Sequence, residues 1–278
     1  MRLLPFLSLT LFACGLPAPD DTTDDGPPPI DPAGDEDNDG LTNGEEDDLG
    51  TEFDEADSDN DGFDDGDEID DGTNPMWKWS HLYEDGDYLI GNCPVLPDED
   101  DAGPTGTGSY DTSSWDAYQE GDVMHNLAEE GYDMYGQNVP VYSFCGNYTL
   151  VTESAEWCGP CQQLAAAMAD DSEKIRKKYP NFTFYEYLYQ NNAGKEPKES
   201  TLESWSDAYE LEGIPVVSPE DNTADEAKWI NATGFFPSTL LLAPDMTVIW
   251  SALDHPGEYY LMDAPSIKAA IADYEDSL

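Results

Sequence analysis

"EWCGPCQQL", residues 156–164, holds Cys158 and Cys161 two residues apart around Gly159 and Pro160, with Trp157 in front. Cysteines at this spacing can form a structural disulfide, supply half of a zinc site, or act as a catalytic dithiol. Zinc needs two further ligands. Cys93 and Cys145 are isolated, and His81, His125 and His255 form no paired spacing. A structural disulfide across so short a gap restrains little of the unfolded chain. A catalytic dithiol needs a strand that runs into a helix N-terminus. "NYTLVTESA" (147–155) reads as that strand. "CQQLAAAMADDSEKIRKKY" (161–179) reads as an amphipathic helix with Leu164, Ala167, Met168 and Ile175 on one face. Pro160 suits the first helical turn, where its missing N–H is not needed. Cys158 then sits at the positive end of the helix dipole, which favours its thiolate. Cys161, one turn on, is placed to attack a mixed disulfide formed at Cys158.

"ESAEWCGPCQQLA" (153–165) resembles the active site of thioredoxins, and the wider chain resembles the exported TlpA-like and redoxin-type branch of that superfamily. "GDVMHNLAEEGYDMYGQNVPVYSFCGNYTLV" (121–151) resembles that branch's entry, a β-hairpin with Asp and Gly in its turn followed by the strand before the active site. "TGFFPSTLLLAPDMTVIW" (233–250) resembles the cis-proline strand and its hairpin partner. The likeness covers about 121–278. It implies an α/β chain with a thioredoxin fold, a central mixed sheet flanked by helices. It also implies that Pro237 is the cis-proline facing the dithiol. Phe236 then offers backbone hydrogen bonds to an extended substrate, beside Trp157, Gly159 and Pro160. Pro215 in "GIPVV" is a rival, without the long Leu strand and turn that follow Pro237.

The resemblance implies a thiol-disulfide oxidoreductase acting on protein disulfides or dithiols, with no cofactor for the redox chemistry. Its Gly-Pro pair implies a reducing poise near about −270 mV, and hence a membrane electron donor that re-reduces the dithiol. Two features depart from the family pattern. Many thioredoxins carry a buried acid six residues before the first active-site Cys, where this chain has Thr152. Glu153 is adjacent but points to the opposite face of a strand, and Glu156 reads as exposed, so the acid–base partner is unassigned. The segment between the dithiol and Pro237 is also long. "NFTFYEYLYQ" (181–190) reads as a strand, "ESTLESWSDAYEL" (199–211) as a helix, and "IPVVS" (214–218) with "TADEAKWIN" (223–231) as an inserted strand and helix. A peroxidase is the rival activity. Peroxiredoxins place a Thr upstream of one peroxidatic Cys, whereas Ala155, Glu156 and Trp157 precede a complete dithiol here.

The chain of 278 residues has a formal charge of −52, with sixty-two acidic residues against ten Lys and Arg. So few cations argue against nucleic acid as a partner. Twenty of the acids lie between Asp35 and Asp71, and their spacing is regular. "DEDNDGLTNGEE" (35–46) and "DSDNDGFDDGDE" (57–68) start twenty-two residues apart, and each fits D-x-[DN]-x-[DN]-G-x5-E. Calcium takes six to eight oxygens, so one short loop must supply many carboxylates. Positions one, three and five give Asp35, Asp37 and Asp39, then Asp57, Asp59 and Asp61. Gly40 and Gly62 permit the sharp turn, and Leu41 and Phe63 offer backbone carbonyls. Asn43 and Asp65 stand at position nine, and Glu46 and Glu68 close each loop. Prolines at 27, 28, 29 and 32 forbid an entering helix, so these are not EF-hands. The array, with its closing "DGTNP" (71–75), resembles thrombospondin type 3 repeats, which implies a helix-poor spacer made rigid by Ca2+.

The N-terminus, "MRLLPFLSLTLFACG", places Arg2 before an apolar run from Leu3 to Ala13, too short to span a bilayer and suited to an export signal. Leu11-Phe12-Ala13-Cys14 resembles the lipobox of bacterial lipoproteins. The resemblance implies a signal peptide over 1–13 and lipid on Cys14 in the cell envelope, with Gly15 favouring the outer membrane. Residues 14–34 read as a solvated tether, 35–75 as the repeats and 76–120 as an aromatic extension. In that extension "MWKWSHLYEDGDYLIGNC" suggests a short hairpin and the following Gly/Thr/Pro stretch a loop. Residues 121–278 form the redox domain. Outside the cytoplasm Cys93 and Cys145 either pair, closing a loop of about fifty residues worth roughly 3–4 kcal/mol, or stay as buried thiols. The competing class is a calcium-binding surface lipoprotein whose redox fold is a scaffold without catalysis.

Overall fold

β4 (Tyr148–Ala155) is buried along its whole length and forms the centre of a six-stranded sheet in a computed structural model of the chain. The structure describes residues 30–93, 97, 102–129, 131–218, 225–255, 257–261 and 263–278. The expected signal peptide over 1–13, the expected lipid site Cys14 and Gly15 lie outside them. β4 pairs in parallel with β5 (Phe182–Gln190), and β5 in parallel with β6 (Val216–Ser218). On its other side β4 pairs antiparallel with β7 (Ser238–Leu242), and β7 with β8 (Val248–Ser251). A two-residue strand, β3 (Tyr132–Asp133), pairs antiparallel with the outer edge of β6. The order is therefore β3-β6-β5-β4-β7-β8. A central parallel pair that leads into a dithiol helix, flanked by an antiparallel hairpin entered through a cis-proline, is the thioredoxin fold.

α3 (Gly159–Arg176) joins β4 to β5, and α4 (Glu199–Tyr209) joins β5 to β6. Both crossovers step in the same direction, and right-handed connections put both helices on one face. α3 accordingly packs against α4 and against α6 (Ala264–Glu275). α3 buries Leu164, Ala165, Met168 and Ile175. Ala167, expected in that stripe, is only half-buried, and Ala165 takes its place. Leu150, Phe182, Phe184, Leu240 and Leu242 are almost wholly excluded from water, each side chain contributing about 1.5–3 kcal/mol.

The opposite face is covered by α5 (Asp225–Ile230), a separate hairpin and the aromatic extension. The inserted strand and helix after α4 appear as β6 and α5. The hairpin is β1 (Gly106–Tyr110) with β2 (Ser113–Ala117), in the stretch read from sequence as a loop. Gly106 and Gly108 face inward, where a Cβ would meet Leu253 and the Ala232 carbonyl at 2.7 and 2.8 Å. Glycine at the inward positions permits that approach and erases the apolar alternation that marks a strand.

Residues 76–93, by contrast, form no hairpin. Their polar groups find partners on the redox domain instead. Trp77 Nε1 donates to the Tyr142 carbonyl at 3.3 Å, Tyr88 OH to Asp133 Oδ2 at 2.7 Å, and Gly91 N to the Ser143 carbonyl at 3.0 Å. Cys93 is joined to Cys145 by a disulfide with Cα atoms 4.7 Å apart. The expected entry hairpin over 121–151 is also replaced. Asp133 accepts from Tyr135 N and Gln137 N and closes a tight turn. After Pro140 the chain enters a 3-10 turn (Val141–Phe144), so β3 is left to pair with β6.

Candidate functional site

The last residue of β4, Ala155, accepts from Cys158 N at 2.9 Å, and this turn carries the chain from strand into α3. Cys158 is the N-cap, with extended backbone, and Pro160 lies in the first turn. Cys161 N points at Cys158 Sγ, 3.2 Å away. Cys158 and Cys161 are disulfide-bonded, with Cα atoms 5.3 Å apart. Cys161 is fully buried and Cys158 nearly so. Trp157, Gly159 and Pro160 are exposed around them. Trp157 Nε1 donates to Gln190 Oε1, and the Trp157 ring meets Phe236 edge-on at 5.7 Å. The Phe236–Pro237 peptide is cis, while Pro215 is trans and lies before β6. The sheet thus brings the dithiol turn and the Phe236–Pro237 segment to the same end.

Thr152 Oγ1 donates to the carboxylate of Glu186, its cross-strand partner on β5. Glu186 is fully buried. Loss of solvation pushes its carboxyl up to about 7, opposed by Thr152 and by the nearby Ser154 and Trp205 side chains. Trp205 belongs to α4, so this carboxyl faces the side of the sheet that α3 covers. Sequence reading missed Glu186 because its relation to Thr152 is cross-strand, between residues thirty-four apart. The local signal is a single charged residue inside "FTFYEYLY", an otherwise uncharged strand. Glu153 points to the opposite face and is also buried. Burial raises its carboxyl well above the ordinary range, opposed by Asn231. Glu156 is half-buried, and its carboxylate accepts from Asn192 N at 2.7 Å.

The repeats form a second candidate site, remote in sequence from the first. Each loop has the same backbone: Asn38 and Asn60 at φ 69° and 62°, then Gly40 and Gly62 at φ 102° and 103°. Each exits into a two-turn helix, α1 (Asn43–Leu49) or α2 (Asp65–Asp71), closed by Gly50 or Gly72 in the left-handed region. Carboxylate oxygens of Asp35, Asp37 and Asp39 converge within 4.8 Å, as do those of Asp57, Asp59 and Asp61. Glu46 and Glu68 are buried beside them with both oxygens unpaired. Burial, then the surrounding aspartates, raises these carboxyls to about 7 and about 8. At position nine, Asn43 Nδ2 donates to the Asp31 carbonyl while its Oδ1 is buried and unpaired, whereas both Asp65 oxygens accept from Ser58 N and Oγ. Gly66 N donates to Asp39 Oδ2 and ties the second loop to the first. Oxygen-only donors, crowded and with both oxygens of Glu46 and Glu68 unpaired, fit a hard cation such as calcium.

Residues 35–51 and 57–76 match the family model described as bacterial TSP3 repeat, a calcium-binding type. No curated protein matches the sequence significantly. Among solved structures, the thioredoxin domain of a thiol-disulfide oxidoreductase from Bacteroides vulgatus is 15% identical over 57% of this chain and 99% of its own, with a TM-score of 0.43. A domain of a possible thiol-disulfide isomerase from Cytophaga hutchinsonii is 18% identical over 58% and 96%, TM-score 0.43. A thiol peroxidase from Chromobacterium violaceum is 13% identical over 63% and 99%, TM-score 0.43. The N-terminal segment of this chain is a pair of bacterial TSP3 repeats, and the sheet order and helix placement that follow it are those of a thioredoxin fold.

Proposed function

We propose that the chain is an exported thiol-disulfide oxidoreductase acting on protein disulfides, held on a calcium-stiffened spacer. The observation that carries this reading is the Cys158–Cys161 pair at the N-terminus of α3, beside Phe236–Pro237 and on the Glu186 face of the sheet. In the reduced chain the Cys158 thiolate attacks one sulfur of a substrate disulfide. The substrate S–S bond breaks, and the departing thiolate takes up a proton. Cys161 then gives its proton to the Glu186 carboxylate and attacks Cys158 Sγ. The bond from Cys158 to substrate breaks, the second substrate thiolate leaves, and the chain holds the Cys158–Cys161 disulfide. The substrate has gained two electrons, which a membrane electron donor returns to the chain. A carboxyl near about 7 suits this transfer at neutral pH. Backbone groups of Phe236 hold the substrate extended across the dithiol, between Trp157, Gly159 and Pro160.

Asp35, Asp37, Asp39, Glu46 and the Leu41 carbonyl would hold one calcium ion. Asp57, Asp59, Asp61, Glu68 and the Phe63 carbonyl would hold a second, with Asn43 and Asp65 outside the first set of ligands or acting through water. Calcium supplies the positive charge that these carboxylates lack. Export and a lipid on Cys14 are supported by the N-terminal residues. No helix among the described residues is long and apolar enough to cross a membrane. Trapping tests the redox reading. The Cys161→Ser variant, mixed with a cystine peptide, is expected to accumulate a mixed disulfide at Cys158, read by mass. Absence of the adduct contradicts it.

A further inference from the structure

On the face opposite Glu186 lies an open cleft of about 290 Å³, one wall of which, Phe236, packs on Trp157 of the dithiol turn. Its walls are aromatic: Trp115 from β2, Tyr189 from β5 and Phe236 from the cis-proline segment. Trp115 is fixed by a 2.8 Å bond from its Nε1 to the Asn231 carbonyl, and Phe236 packs against Tyr189 at 6.1 Å and Trp157 at 5.7 Å. Gly234, at φ 75°, packs closely on Tyr110 and Trp115, its N–H held by Asn231 Oδ1 at 2.8 Å. At the base lies Glu153, 1% exposed, with Oε2 unpartnered. A carboxyl buried with a free oxygen is costly, and the proposed chemistry of Cys158 and Cys161 makes no use of it. Lys228 of α5 is exposed at the rim. Its ammonium and Glu153 both act on the Tyr189 hydroxyl, in opposite senses.

We propose that this cleft is a specificity subsite that takes the cationic side chain, Lys or Arg, of a residue flanking the substrate cysteine. Three observations favour a cation over an apolar or acidic side chain. Aromatic faces attract cations through their quadrupole. The unpartnered Glu153 oxygen supplies an acceptor at the base. The chain's charge of −52 draws cationic polypeptides toward it. An extended substrate bound along Phe236 passes the mouth of the cleft, because Phe236 belongs both to the cleft wall and to the segment facing the dithiol. The inference rests on the oxidoreductase reading and adds a substrate preference to it.

The test compares reduction of two cystine peptides, one with Lys beside the half-cystine and one with norleucine, by the full reduced chain. The wild type is expected to prefer the Lys peptide in kcat/KM by about tenfold, the scale of one desolvated cation–π contact. The preference should persist at high salt, where the Debye length falls to about 3 Å at 1 M and long-range attraction is screened. Glu153→Gln should lower the ratio severalfold, and Lys228→Gln, at the exposed rim, should raise it. Equal reduction of both peptides, or a preference erased by salt, overturns the subsite while leaving the oxidoreductase intact. A ratio unmoved by both variants overturns it as well. A chain that reduces neither peptide overturns the oxidoreductase reading and the subsite together.

Discussion

Glu46 and Glu68 are buried in the repeats among converging aspartates, whereas Glu153 and Glu186 are buried in the sheet, each away from the other and on opposite faces. Both environments raise the carboxyl. In the repeats, aspartate repulsion adds to burial at Glu46 and Glu68, so the crowded carboxylates suit an external cation. In the sheet, burial is the leading cause, and a lone carboxyl answers it by keeping its proton. The same residue type is thus suited to a cation where it is crowded and to holding a proton where it is solitary. The distinction lies in the neighbours, which the fold supplies.

Four outcomes would break or sharpen that contrast. The largest concerns the joint between the extension and the sheet. Replacing Cys93 and Cys145 with Ser opens a loop of 52 residues and should cost about 3–4 kcal/mol in denaturant unfolding. A loss under about 1 kcal/mol would mean that Trp77 and Tyr88 hold the extension without it.

Next comes the pH dependence of stability. Glu186 is raised in the folded chain from the ordinary value of 4.5 to about 7. The folded state therefore binds the proton more tightly, and this carboxyl's contribution is fully present below about pH 4.5. That contribution is lost as pH rises through about 7, a total of about 3 kcal/mol. Glu186→Gln should flatten the profile by that amount between pH 4 and 8. An unchanged profile would show that Glu186 is ionised in the fold.

The third outcome is kinetic. Glu186→Gln should slow turnover by about a hundredfold and remove an inflection near about pH 7. Restoring a carboxylate as Asp should recover part of the rate, which a purely structural role would not do. The smallest effect is expected from calcium removal. Chelation should expand residues 35–75 and expose them to protease, yet change turnover by less than about twofold, since distant sites act independently. Asp39→Ala and Asp61→Ala should each remove one calcium ion by calorimetry. Loss of turnover on chelation would couple the two regions.

What could be read from the sequence follows the range of the interactions. Each repeat loop gathers its carboxylates within twelve residues, so Asp35 to Glu46 declares itself without the fold. The dithiol turn is as local, with Cys158, Pro160 and Cys161 inside one turn of α3. Glu186 was not legible, because only the register of β4 on β5 brings it to Thr152. The hairpin of β1 and β2 was hidden by inward glycines at 106 and 108. The extension read as a hairpin because its residues favour strands, but Ser143 and Asp133, far along the chain, bind its backbone and side chains.

Reduction of insulin disulfides by the purified chain, wild type beside Cys158→Ser, tests the central claim most directly. The account predicts catalytic turnover in the wild type and none above the uncatalysed rate in the variant. An inert wild type, or a variant with undiminished turnover, would contradict it and leave the thioredoxin fold as a scaffold on a calcium-binding stalk.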